Sequence, residues 1–382
     1  MKLLFAPDSF KGSLTAAQVC DILEKAALRH FPGAETVSIP VADGGEGTVE
    51  ALMRAMGGEK RQMTVTGPLF EKETAVFGLS TDGQTAILEM AQASGLPYVP
   101  IEKRDPRKTT SLGTGEMMAR ALRTGARKML IGIGGSATND GGMGMLAALG
   151  ARFTDADGMT VSPIGENLIH VQNADFSGLM PELKEAEITV ICDVTNPLLG
   201  ENGATYVYGP QKGATKNIQD ELERGMAHYA RVVSRAVGRD IASFPGAGAA
   251  GGMGAALGGV LGANLRSGID AVLDAADFDG KLTGTDLVVT GEGRMDAQSV
   301  RFGKVPAGIA RRCAEQDIPV LALVGGMGVG AEGLFDLCES SIMPIVSGPM
   351  PLSTAMENAY ALCEGAADRL FRAIRIGMGL AK

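Results

Sequence analysis

The chain has 382 residues, 45% of them apolar and 21% charged, too long for one ordinary core and too apolar for a disordered chain. A net charge of −9 and a pI near 5.1 argue against a nucleic-acid or anionic-membrane surface. The absence of tryptophan and the 4% aromatic content leave no platform for stacked bases. The 54 glycines gather in short loops, as a ligand held by backbone amides would require. Five scattered cysteines without a C-x-x-C pair read as reduced thiols of a cytosolic protein, and the N-terminal apolar run is too short for a signal peptide.

Taken in chain order, Lys2–Ala6 is a short apolar strand closed by Pro7-Asp8, and the capping box Thr15-Ala-Ala-Gln18 opens a helix with apolar positions at Val19, Ile22, Leu23 and Ala26. A second strand spans Thr36–Val41, followed by a glycine turn and a helix through Val49, Leu52, Met53 and Met56. From about residue 61 the pattern changes to hairpin-like segments at 63–67, 74–77 and 85–90, with buried strands at 128–133 and 188–192. The uncharged stretch Ile241–Leu265 is long enough for a bilayer, but eight glycines and Pro245 predict a buried glycine loop and a core helix instead. Strand–helix alternation resumes with Asp286–Thr290, Pro319–Val324 and Ile342–Val346, and a capping box at Thr354–Glu357 opens a last amphipathic helix. This order predicts a parallel, Rossmann-like three-layer α/β domain built from residues 1–60 and 286–382, with a mixed α+β domain, 61–285, inserted between them.

Three strands of the terminal zones end in polar or glycine-rich turns: Pro7–Ser13, Ala42–Thr48 and Thr290–Asp296. Ligands of open parallel sheets bind at such ends. Asp8 and Asp43 taken singly are ordinary turn or cap residues; together with Lys11 and Arg294 they point to a cation-and-phosphate site. In the inserted zone, Gly132–Gly142 follows a buried strand and precedes a helical segment, which would aim backbone N–H groups at phosphate oxygens. Thr110–Gly115 could do the same or could be a plain helix cap. Cys192–Pro197 ends a strand with Asp193, and Gly209–Ala214 carries Lys212 in a tight turn. No G-x-x-x-x-G-K-[ST] loop occurs, and the one G-x-G-x-x-G, Gly246–Gly251, lacks a convincing preceding strand. The three histidines sit in no catalytic setting.

In this order the segments P-D-S-F-K-G-S, A-D-G-G-E-G-T, T-S-L-G-T-G-E, I-G-G-S-A-T-N-D-G-G, C-D-V-T-N-P-L, G-P-Q-K-G-A, G-A-G-A-A-G-G-M-G and V-T-G-E-G-R-M-D resemble the bacterial glycerate kinase family of the two-domain α/β type. The resemblance implies ATP- and Mg²⁺-dependent phosphorylation of D-glycerate, at the 2-hydroxyl. It also implies a cleft between the two domains. Residue chemistry then supplies candidates for each part of a phosphoryl transfer. Gly134, Gly135, Ser136, Thr138, Asn139, Gly291 and Gly293 would cradle the nucleotide, and Asp43, Glu46 and Asp296 would hold the metal. Lys11 and Arg294 would meet developing charge, Asp8 or Asp193 would sit by the attacking hydroxyl, and Lys212 and Arg294 would take the substrate carboxylate. The rival readings are a nicotinamide-dependent oxidoreductase resting on Gly246–Gly251 and a non-catalytic nucleotide-binding regulator.

Overall fold

The computed structural model describes the chain except residues 42–48, 50–51, 54–55, 302 and 381–382. The turn Ala42–Thr48, with Asp43 and Glu46, therefore lies outside the described residues. Two compact units are formed: Met1–Asp43, Glu50–Met56 and Ile269–Lys382 make one, and Gly44–Val49 with Gly57–Gly268 the other.

The first unit begins with β1 (Lys2–Pro7), α1 (Ala16–His30) and β2 (Glu35–Ser38). The capping box at Thr15 forms as its residues predict: the Gln18 amide N–H donates to Thr15 Oγ1 and the Thr15 N–H donates to Gln18 Oε1. Regular pairing of β2 ends at Ser38, short of the expected Val41, although the Ile39 and Val41 amides still donate to Phe5 and Pro7.

The second unit carries β3 (Glu59–Thr66), β4 (Lys72–Leu79), β5 (Thr85–Glu89), α2 (Leu112–Arg123) and β6 (Lys128–Gly132). These are followed by α3 (Met143–Ala148), the small hairpin β7 (Arg152–Thr154) and β8 (Asn173–Asp175), then β9 (Glu187–Ile191), α4 (Lys216–Val237) and β10 (Asn264–Arg266). Its six-stranded sheet, ordered β10-β9-β6-β5-β4-β3, is antiparallel from β3 to β5 and parallel from β5 to β10. Residues 241–265 break into turns, short helical pieces and β10. Among the described residues no helix is long and apolar enough to cross a membrane. Gly246–Gly251 follows bends rather than a strand, which removes the β-turn-α setting that a dinucleotide fingerprint needs. Ala250, Gly251 and Gly252 instead turn left-handed, and a side chain on Gly251 would lie 2.0 Å from the Thr138 carbonyl oxygen.

The chain then returns to the first unit with β11 (Leu287–Met295), α5 (Val305–Ala314), β12 (Val320–Met327), β13 (Ser340–Pro344), α6 (Leu352–Glu357) and α7 (Ala359–Leu380). Thr354 lies inside α6, which starts after Pro351. The expected capping box therefore does not open the long helix, and a break at Asn358 separates α6 from α7. All five strands are parallel, in the order β13-β12-β11-β1-β2. Alternation along β12 sends Leu321 and Leu323 to a core shared with α1 and α7, and Ala322 and Val324 to one shared with α5. The Rossmann-like three-layer domain is thus made by both chain ends, with the mixed domain inserted.

Candidate active site

From β1 the chain passes outward to β2 on one side, and from β11 through β12 to β13 on the other. The succession therefore reverses between β1 and β11, where an open parallel sheet leaves a crevice at its carboxyl edge. A pocket of about 720 Å³ opens there, lined among others by Asp8, Lys11, Glu292, Arg294, Asp296 and Lys304. Asp8 is 6% exposed; its amide donates to Gly291 O at 2.8 Å, and its Oδ1 accepts the Ser9 N–H at 2.6 Å. Lys11 is exposed on the tight turn Phe10–Leu14, closed by reciprocal Phe10 and Leu14 backbone bonds of 2.8 and 3.1 Å with Gly12 at φ +81°. Arg294 is 77% exposed, its Nε 3.7 Å from Asp296 Oδ2. Asp296 also caps the turn after it, accepting from the Gln298 and Ser299 amides at 2.9 and 3.4 Å.

Residues 290–296 are not the loop that their glycines suggest. β11 runs on to Met295, paired with β12 from Val288↔Val320 to Met295↔Met327. A side chain on Gly291 would meet the Leu323 carbonyl oxygen at 2.0 Å, and one on Gly293 would meet Phe10 Cα at 3.3 Å. These glycines let backbones close on one another, and Gly293 lines the pocket as part of a strand.

The second unit holds the other candidates. Gly134 and Gly135 are exposed, whereas Ser136, Thr138 and Asn139 are buried. The amide cluster offered to phosphate by α3 is taken by the protein's own Asp140. Its carboxylate accepts from Ser111 N (2.8 Å), Ser111 Oγ (2.7 Å), Gly142 N (3.1 Å) and Gly144 N (3.2 Å), so it caps the starts of both α2 and α3. Burial pushes its pKa up against these four donors. Lys212 is 2% exposed, and its ammonium donates to Ser136 Oγ at 2.8 Å and Thr138 O at 2.7 Å. Burial lowers its pKa to about 7, opposed by the charge of Asp140. This lysine ties the 209–213 turn to the 134–139 loop and does not present itself to a carboxylate in solution. Asp193 is exposed at the end of β9, with Oδ1 accepting the Gly268 N–H at 2.8 Å.

Asp43 and Glu46, two of the three expected metal ligands, fall outside the described residues. Among the described residues no three acidic, histidine or cysteine side chains converge tightly enough to hold a metal by themselves. Mg²⁺ is ordinarily held by one or two carboxylates with water and phosphate oxygens, so such a cluster is not required for a metal–nucleotide site. The pocket also suits a cation electrostatically. Glu292 Oε1 is buried without a hydrogen-bond partner. Burial raises the Glu292 pKa to about 7, and the charges of Asp8 and Asp296 add to that rise.

Residues 3–375 match the model of the glycerate kinase family. The chain belongs to that family. It is 47% identical to the glycerate 2-kinase of Escherichia coli K12, over 99% of both chains, and 45% identical to the glycerate kinase of Bacillus subtilis 168, over 98% of both. A crystal structure from Salmonella typhimurium LT2, described as a candidate glycerate kinase 2, superposes with a TM-score of 0.91 at 42% identity and 99% coverage of each chain. This glycerate kinase is accordingly an enzyme, and its α/β fold is shared with that crystal structure.

Three residues of the kinase escaped the sequence reading. Glu292 lies in an acidic, glycine-rich segment read as a turn, whereas on a strand a carboxylate two residues before Arg294 shares that residue's face. Lys304 follows a glycine outside any phosphate-loop pattern, yet it occupies the N-cap position of α5 and lines the pocket. Asp140 sat in a run offered to phosphate, and only its contact with Ser111, 29 residues earlier, reveals what fills that cradle.

Proposed function

We propose that this glycerate kinase transfers the γ-phosphoryl group of ATP to the 2-hydroxyl of D-glycerate, giving 2-phosphoglycerate and ADP, in the cytoplasm where its thiols stay reduced. The observation that carries the reading is the meeting of Asp8, Glu292 and Asp296 with Lys11, Arg294 and Lys304 in one crevice at the β1/β11 reversal. Phosphoryl transfer needs just this mixture: cations on the transferring oxygens, carboxylates for a metal, and an acceptor near the attacking hydroxyl. The name of the E. coli relative, a glycerate 2-kinase, supports the choice of hydroxyl.

Asp8, buried at the mouth of β1, takes the hydroxyl proton, with Asp193 as the alternative. Lys11 and Lys304 meet the phosphate oxygens, and Arg294, mostly exposed and forked, receives the glycerate carboxylate. Asp296, Asp43 and Glu46 are the acids that would hold Mg²⁺, whose positive charge would offset that of the nucleotide phosphates. Gly134 and Gly135 remain the solvent-facing part of the second unit's loop, and buried Ser136, Thr138, Asn139 and Lys212 fix its shape.

The test is a mixture of the purified chain, ATP, MgCl₂ and D-glycerate, with ADP followed by coupled absorbance and the product by ³¹P NMR. The 2-phosphoglycerate resonance should grow in step with ADP. A 3-phosphoglycerate resonance alone would overturn the regiochemistry, and glycerate-independent or absent ADP release would overturn the function.

A further inference from the structure

We propose that the base of the nucleotide sits within the first unit, on an apolar wall made by the carboxyl end of β13 and by α6. This wall belongs to the same pocket that holds the charged cluster. The inference rests on the reading of ATP as phosphoryl donor and adds where its adenine lies.

The pocket volume of about 720 Å³ belongs to the range of cofactor and drug-sized sites, and a three-carbon acid fills only a corner of it. Its lining divides by element. The ends of β1 and β11, with Lys304, bring the acids and cations described above. The other contribution comes from Ile345 and Val346 after β13 and from Leu352, Ala355 and Met356 on α6, and not one of these five carries a charge or an amide. A site with cations in one part and aliphatic surface in the other matches a ligand with phosphates at one end and a flat apolar ring at the other. Glycerate has no such ring; a nucleoside triphosphate does.

The exposure of α6 supports the same occupant. Leu352 is 75% exposed and Met356 38%, and α6 has no buried residue, so its apolar side chains at the pocket are left to water. Met356 also comes close to the turn that carries Lys11: a side chain on Gly12 would meet its Cε at 2.8 Å. Methionine, unbranched and polarisable, can settle on a ring face without fixed geometry. Gly293 completes the arrangement: any side chain there would crowd the backbone of Phe10 and Lys11, so glycine lets the lysine turn lie close against the acidic strand.

The experiment compares isothermal titration of the full-length wild type, Ala355→Trp and Leu352→Asp with Mg²⁺-ADP and with Mg²⁺-pyrophosphate. Thermal unfolding serves as the control for folding. Leu352 is so exposed that its replacement leaves the fold intact even if the tryptophan at 355 does not. Both variants should weaken Mg²⁺-ADP at least tenfold and leave Mg²⁺-pyrophosphate, which lacks the base, within twofold of wild type. Mg²⁺-ADP affinities within twofold of wild type, or equal weakening of both ligands, would overturn the base seat. The turnover assay stands apart from this outcome. A wild-type chain that makes 2-phosphoglycerate while both variants bind Mg²⁺-ADP normally refutes the seat alone. One that binds Mg²⁺-ADP through this wall but phosphorylates no glycerate refutes the acceptor alone.

Discussion

Glu292 lies 6% exposed, with Lys304 drawing it toward ionisation and Asp8 and Asp296 pushing the other way. Its folded pKa of about 7 stands above the ordinary 4.5, so the folded chain keeps a proton that the unfolded chain releases between those values. The associated stability is complete below the unfolded pKa and is lost as pH rises through about 7. Between about pH 5 and 7 this should lower the Tm of the ligand-free protein as pH rises, and Glu292→Gln should flatten that slope; an unchanged slope would show the carboxyl to be ionised throughout. At Asp296, Asn keeps a cap oxygen for the Gln298 amide and removes the charge. Asp296→Asn should therefore cost at least on the order of a hundredfold in kcat with Tm nearly unchanged. Lys11→Ala should lower kcat/KM by roughly 2–4 kcal/mol in transition-state terms; wild-type steady-state kinetics would return Lys11 to the solvent. The gathering of Asp8, Lys11 and Arg294 around one pocket was readable because the strand ends of a parallel sheet meet at its carboxyl edge. Lys212 was not, since a lysine in a glycine turn looks solvated until the 134–139 loop is found packed over its ammonium, 74 to 76 residues away in sequence.

Among the elements, helix starts and hairpins were the legible part, because their signals are local: Thr15 with Gln18, or the turn Thr81-Asp82-Gly83, where Ser80 Oγ donates to Asp82 Oδ1 at 2.5 Å. The length of β11 was hidden because Gly291 and Gly293 are loop residues by preference. The carbonyl of Leu323, on the neighbouring strand β12, explains Gly291, and the backbone of Phe10 explains Gly293. Gly291→Ala should consequently lower stability by more than about 2 kcal/mol in urea unfolding or abolish soluble expression. Gly326→Ala, with open space around its Cα, should shift the midpoint little. Asp140 makes a second test at this scale. Asp140→Ala strands four buried donors at the starts of α2 and α3, each worth about 1–3 kcal/mol when orphaned, so the second unit should lose its cooperative near-UV signal. A folded Asp140→Ala with a wild-type urea midpoint would refute this cap.

Across the whole molecule, α7 closes the core that α1 and β1 begin: Phe5 meets Phe371 edge-on with ring centroids 6.1 Å apart, and Cys363, Ala366 and Leu370 are buried in the same cluster. Ending the chain after Ser353 should therefore leave α1 open to trypsin at Lys25 and Arg29 while residues 57–268 stay resistant; joint resistance of both would refute that dependence. The reunion of the two ends was legible from resumed strand–helix alternation, but the pairing register was not. Leu3 pairs with Leu287, and the Thr290 hydroxyl reaches Ala6 O across 284 residues. That separation has a consequence on the ribosome. At about 5–20 residues per second, β1 waits roughly 15–60 s after its own synthesis for its β11 partner to be made. The contiguous middle of the chain can complete its sheet during that wait. The apolar run Leu3-Leu4-Phe5-Ala6 meanwhile lacks its β11 partner, so a holding chaperone would find a long-lived substrate there.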